Sequence, residues 1–252
     1  STQAKTLFPY TTLFRSVARN GRGGGMTIRH VVSVSGGKDS TATLLIALER
    51  FGRERVTPIF CDTGNEHQAV YDYLAYLEAA LDVRIERLRA DFSAEFARKR
   101  AFIARDQRAG RDDRGRRLRW SNRRKREALA VLHPTGNPFL DLCLLKGRFP
   151  SRAAQFCTER LKRDPAVEFQ LALIDAGYHV VSWQGIRRDE SQRRRNALRF
   201  ERQVFGPNRG RAVDVRRVAL ERIVHPLLEC LLDAGVDLRK SSHLAHREGG
   251  RG

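Results

Sequence analysis

Six consecutive residues, Ser35-Gly36-Gly37-Lys38-Asp39-Ser40, bring together the groups a phosphate site needs. Paired glycines reach backbone angles closed to other residues, so successive amides can turn toward one anion, and a helix beginning just after them adds its positive end. Lys38 brings a mobile charge, and the hydroxyls of Ser33, Ser35 and Ser40 can donate to phosphate oxygens. Asp39 can cap the helix or help to hold a magnesium ion. The spacing differs from GxxxxGK[ST], which excludes the P-loop of the common nucleotide triphosphatases.

Two further groups of residues suit the same chemistry. In FCDTGNE, Asp62, Thr63 and Gly64 follow an apolar run, and Asp62 stands roughly 20 residues beyond the glycine loop, where a Rossmann-like site meets ribose hydroxyls. The same residues also suit a plain Asx turn. In GIRRDES, Gly185 ends another apolar run and is followed by Arg187, Glu190, Ser191 and then Arg194. Guanidinium groups grip phosphate or sulfate at two points, so these arginines are candidates for a second anion site, with an arginine-rich surface turn as the simpler alternative. Lys38, Asp39 and Arg187 are the candidate catalytic groups.

Parallel strands with helical crossovers would bring these loops to one edge. Residues 28–34 are β-branched and apolar, and 41–51 place Leu44, Leu45 and Leu48 at helical spacing. Strand, helix and strand follow at 56–61, 66–81 and 83–88, then an irregular connection at 134–150, a helix at 158–176 with Gly177 as its C-cap, and a strand at 179–184. A last strand at 222–225 and a helix at 227–234 complete the reading. The expected fold is α/β: a Rossmann-like, mostly parallel sheet flanked by helices, with a basic helical or irregular insertion at about 98–126. That insertion is either a solvated surface or a nucleic-acid groove with one aromatic, Trp120.

Composition sets the frame. The 252 residues are 41% hydrophobic and carry 48 Lys plus Arg against 29 Asp plus Glu, a net +19 that favours polyanionic partners, nucleotide or nucleic acid. Cysteines at 61, 143, 157 and 230 form no CxxC pair, which argues against a disulfide framework and for a reducing cytoplasm. No apolar run is long enough to cross a bilayer. Residues 1–25 precede the single methionine, Met26, and read as a non-native or disordered leader. Residues 26–238 then read as one nucleotide-binding domain and 239–252 as a disordered tail. Oligomeric state leaves no legible mark.

The SGGKDS loop is similar to that of the PP-loop ATP pyrophosphatases. Taken in order, SGGKDS, the DTG element, CTERLKRDP at 157–165 and GIRRDES resemble the phosphoadenosine phosphosulfate (PAPS) reductase family over residues 28–228. The resemblance implies an adenine nucleotide, PAPS or ATP, across the sheet edge, with Ser35, Gly37, Lys38, Asp39 and Ser40 around its phosphates. It also implies Arg187 and Arg194 at the sulfate or phosphate end, Lys162 lining the same cleft, and a thiol reductant such as thioredoxin as a partner.

The chain departs from that family near its C-terminus. Reductases resemble one another in an ECGLH-like motif whose cysteine takes the sulfur, whereas Cys230 follows Glu229 but precedes Leu231 and Leu232 and reads as a packed helix residue. Relatives similar around Cys157 carry an iron–sulfur cluster completed by later cysteines that are absent here, leaving Cys157 as an isolated ligand or a small packed residue. Three functions stay open: sulfur transfer or sulfate reduction on PAPS, an ATP pyrophosphatase that adenylates a substrate such as nucleic acid for thiolation, and a nucleotide- or nucleic-acid-binding protein without chemistry.

Overall fold

The structure is a computed structural model that describes residues 27–151, 154–186, 192–205 and 211–219. β1 (Ile28–Ser33), α1 (Lys38–Phe51), β2 (Val56–Asp62), α2 (Gln68–Leu81) and β3 (Glu86–Arg89) form two successive parallel crossovers. Three helices follow: α3 (Ser93–Arg105), α4 (Asn122–Val131) and α5 (Pro138–Lys146). A π-helical turn at Thr158–Arg163 leads into α6 (Asp164–Asp175), then β4 (His179–Ile186), α7 (Gln192–Arg195), β5 (Phe200–Phe205) and β6 (Arg211–Ala219). The sheet order is β3-β2-β1-β4-β6-β5, and β5 is its one antiparallel member. Strand order therefore reverses between β1 and β4, and in open α/β sheets that reversal opens a crevice at the strands' C-terminal ends.

Both faces of the central strands are covered, which is why β1 reads as a continuous apolar run. Val32, Val34 and Trp183 pack under α1 and α2 through Leu44, Ala47, Leu74 and Leu77. Val31, Ile59, Val180, Val213 and Val215 pack under α6 through Leu173. A third cluster joins α3, α5 and the π turn through Phe92, Phe96, Ile103, Leu142 and Leu161. The arginine-rich stretch thus begins inside a packed helix: α3 buries Phe96 and Ile103 and exposes its basic side. Its exposed part is the hairpin between α3 and α4, closed by the Arg111–Arg117 bridge.

Several elements differ from the sequence expectation. Residues 134–150 contain a regular helix, α5, because Asn137 caps it by accepting from the Phe139 and Leu140 amides (3.0 and 3.1 Å), Pro138 opens it and Gly147 closes it at φ +66°. The helix expected at 158–176 is π-helical in its first turn. β5 and β6 were not anticipated, since their arginines mask a period-two pattern. The strand at 222–225 and the helix at 227–234 lie outside the described residues. No helix among the described residues is long and apolar enough to cross a membrane.

Beneath α1 the core holds a buried imidazole. His30 is 6% exposed, stacks on Phe51 at 3.7 Å and accepts the Trp183 Nε1–H at Nδ1 (3.1 Å). Burial, reinforced by the positive charge of Arg55, Arg216 and His179, lowers its pKa from 6.5 to about 4. The unfolded imidazole therefore takes up its proton first as pH falls. Stability present above pH 6.5 is lost progressively down to about pH 4, by up to roughly 3 kcal/mol. Thermal unfolding between pH 7 and pH 4 should show this slope. His30→Gln, which keeps an acceptor but does not titrate, should flatten it, and an unchanged slope in that variant would assign the acid sensitivity to other groups.

Candidate active site

The glycine loop is held from behind and open in front. Val34 extends the β1 ladder by donating to Ile59 O (2.8 Å), and the chain then turns at Gly36, φ +76°. A Cβ at Gly36 would lie 2.9 Å from Val70 Cγ1, so α2 closes against the back of the loop and leaves room only for glycine. Gly37 is the N-cap of α1 and supplies no side-chain cap. The amides of Gly36, Gly37 and Lys38 donate to no acceptor among the described residues. They stand at the positive end of a 14-residue helix.

The serines divide into two roles. Ser40 is buried, and its Oγ accepts from the Ser35 amide (3.0 Å) while donating to Gly37 O (2.8 Å); Thr41 Oγ1 donates to the same carbonyl (3.2 Å). Ser40 and Thr41 thus brace the loop from inside. Ser35 is exposed, with Oγ 3.2 Å from Ser40 Oγ. Ser33 lies half-buried in register with Ile59. Lys38 is exposed and Asp39 half-buried at the start of α1.

β4 meets the same turn. A Cβ at Gly185 would lie 2.7 Å from Thr43 Oγ1 and 2.9 Å from Asp39 O, so the end of β4 presses directly on the first turn of α1. β4 therefore ends beside the SGGKDS loop, at the point where strand order reverses. Arg187, Glu190 and Ser191 lie outside the described residues, as does the side chain of Arg194.

The DTG element forms the third side of this edge. Asp62 Oδ1 accepts from the Gly64 amide (2.8 Å) and from Tyr71 Oη (2.7 Å), making the Asx turn that the sequence left as an alternative. Burial and that carboxylate push the Tyr71 phenol up to about 12, so it stays protonated and donating. Thr63 is buried and donates to Glu66 Oε1 (3.0 Å). Gly64, at φ +73°, is clasped from across the chain: Asn137 Nδ2 donates to its carbonyl (2.7 Å), and the Phe139 amide donates to Thr63 O (3.0 Å). Glu66, Tyr71 and Asn137 were not singled out by sequence reasoning. Asn137 carried one usable signal, the Asn-Pro helix start.

Lys162 reaches the same edge from the π turn. Its Nζ lies 3.4 Å from Glu66 Oε1, and its carbonyl accepts from Cys61 Sγ at 3.2 Å. Burial pushes the Cys61 thiol up to about 11 against the opposing pull of Lys162, so Cys61 is not a thiolate nucleophile at neutral pH. Arg160 pairs with Glu95 and lies 3.5 Å from Asp164, tying this turn to α3.

Cys157 is half-buried and packs against the third cluster. Cys143 is buried, its thiol pKa raised by burial and then by Cys157. Among the described residues no group of three or more His, Cys, Asp or Glu side chains is placed to hold a metal ion, so these residues do not fit an iron–sulfur cluster. Cys230 lies outside the described residues.

Residues 29–228 match the family model of the phosphoadenosine phosphosulfate reductase domain. The chain is 42% identical over 167 residues to an uncharacterized 37.8 kDa protein in the gpa 5′ region of Escherichia phage 186, covering 66% of this chain and 49% of that protein. It is 27% identical over 165 residues to the uncharacterized nin region protein ORF290 of Escherichia phage lambda, covering 65% and 50%. The chain thus spans about half the length of the curated relatives it matches. A PAPS reductase from Candida auris, solved as a phosphate complex, aligns with TM-score 0.44 and 13% identity over 94% of this chain and 86% of that one.

Proposed function

The chain belongs to the phosphoadenosine phosphosulfate reductase family, and from that membership we propose that it binds an adenine nucleotide at the SGGKDS loop and acts on the group beyond the 5′-phosphate in sulfur transfer or sulfate reduction. The observation that carries this reading is the run of amides at Gly36, Gly37 and Lys38 that meet no acceptor among the described residues, set at the start of α1 beside the point where strand order reverses. Those amides and Lys38 bind the phosphates and hold negative charge as it develops on the leaving group. Gly185, by pressing on Asp39 O, seats the end of β4 against the first turn of α1, and Arg187 and Arg194, which follow it in sequence, grip the sulfate or terminal phosphate. Asp62, Thr63 and Gly64 line the ribose side, Lys162 adds positive charge next to them, and a thiol reductant completes the cycle. A magnesium ion accompanying a triphosphate would be held mainly by water and phosphate, and Asp39 is the loop carboxylate that could contribute from the protein side.

Product analysis tests the reading. With PAPS and a dithiol, the expected products are sulfite, adenosine 3′,5′-bisphosphate and the dithiol oxidised to its disulfide. AMP and pyrophosphate from ATP, in the presence of an acceptor, would instead select adenylation. Turnover of neither nucleotide, with both bound, would leave a binding protein without chemistry.

A further inference from the structure

The hairpin between α3 and α4 has no part in the reading above, and its chemistry is distinct. Residues 98–126 hold fourteen Lys and Arg against three Asp, so eleven of the chain's nineteen net positive charges sit in this stretch. Like charges at this density repel one another, and the fold holds them together through its few carboxylates. Asp106, 3% exposed, accepts from Arg108 Nε and Nη2 (2.7 and 3.2 Å) and from the Trp120 amide (2.7 Å), which clips the two ends of the hairpin together. Asp112 accepts from the Arg114 and Arg116 amides and from Arg116 Nε, which fixes the tip.

With those acids engaged inside the hairpin, Arg105, Arg114, Arg117, Arg119, Arg124 and Arg126 have side chains with no hydrogen bond or ion pair among the described residues. Arg108, Arg111, Arg117 and Arg119 line a groove of about 470 Å³. Two rings lie open beside these cations: Trp120, 36% exposed, and Phe102, 56% exposed, the latter under the Arg108 guanidinium at 5.4 Å. The segment leaves the sheet after β3 and returns at Asn137, so both its ends are anchored where the DTG turn sits, and Arg89 donates to Gly136 O (2.6 Å) across that junction.

We propose that this hairpin is a docking surface for the phosphodiester backbone of a nucleic acid. Guanidiniums around a groove, those of Arg117 and Arg119 without a hydrogen-bond or ion-pair partner among the described residues, fit phosphates in series, and flanking open rings fit unstacked bases. A lipid surface would call for an apolar face beside the cations, whereas residues 122–127 of α4 are polar and hold four cations, and Ala128 and Leu129 further along pack against the third cluster. The surface does not depend on the nucleotide reading, and the two fail separately.

The test is fluorescence anisotropy of the full chain with a 20-nucleotide DNA strand, the same sequence as duplex, and the same sequence as RNA, from 50 to 200 mM salt. Binding is expected to weaken steeply with salt. The triple variant Arg114→Gln, Arg117→Gln, Arg119→Gln should bind at least roughly 10-fold more weakly at 100 mM salt, with a log–log salt slope shallower by about 2 to 3. That variant should keep its affinity for adenine nucleotide, while Lys38→Ala should keep its affinity for nucleic acid. The relative strength of the three probes identifies DNA or RNA, single or double strand. The proposal is overturned if none of them binds at 50 mM salt, or if anionic phosphatidylserine vesicles bind and nucleic acid does not. It also fails if Arg50→Gln, Arg53→Gln, Arg84→Gln, which removes equal charge elsewhere, weakens binding as much as the hairpin variant does.

Discussion

Lys38→Ala should lower affinity for PAPS or ATP by roughly 10- to 100-fold, the span expected when one charge-assisted contact to a phosphate is lost. Lys38 is exposed and its side chain braces nothing in the loop, so thermal stability should change by no more than about 0.5 kcal/mol. The separation matters: a loss of binding together with a loss of fold would say only that the loop is fragile. Lys38→Arg should recover part of the affinity, because the charge returns with a different shape. Calorimetric titration of the three proteins checks this. An unaltered dissociation constant in Lys38→Ala removes the lysine from the site.

Gly36→Ala should be the most damaging single methyl addition in the loop. The new Cβ would lie 2.9 Å from Val70 Cγ1, and φ at this position is +76°, where an L side chain costs about 1 to 2 kcal/mol before any overlap is counted. Overlap in a packed contact adds about 1 to 3 kcal/mol, so a destabilisation of roughly 2 to 5 kcal/mol is expected, with loss of nucleotide binding as the amides rotate away. Gly37→Ala is the control. Its φ is −89° and its nearest new neighbour is Ser35 Oγ at 3.6 Å, so its stability should stay close to that of the unmodified chain. Adding Val70→Ala to Gly36→Ala relieves the overlap but leaves the backbone penalty, and should restore only part of the stability. Chemical denaturation of the three variants and the unmodified chain measures both terms, and equal stabilities for Gly36→Ala and Gly37→Ala would contradict the geometry.

What the sequence made legible follows from distance along the chain. The SGGKDS loop was readable because its groups are adjacent and its flanking strand and helix have clear periods. The α/β class followed from the same alternation, and the parallel order confirms it. The clasp on the DTG turn was not readable, because Asn137 acts on Gly64 from 73 positions away. Nor was the brace formed by Ser40: a serine beside a glycine pair reads as a phosphate donor, and only the fold shows its hydroxyl directed to Gly37 O. β5 and β6 escaped because Arg202, Arg216 and Arg217 stand where apolar residues usually mark a strand. Arg216 covers the sheet instead, its guanidinium lying over Trp183 at 4.4 Å.

Backbone amide NMR on the labelled chain, titrated with PAPS, ATP and adenosine, reports on the loop directly. The amides of Gly36, Gly37 and Lys38 should show the largest shifts with PAPS and ATP, and little change with adenosine, which has no phosphate to bind. Shifts of equal size with adenosine, or shifts confined to residues away from this loop, would contradict the claim that these amides hold the phosphates.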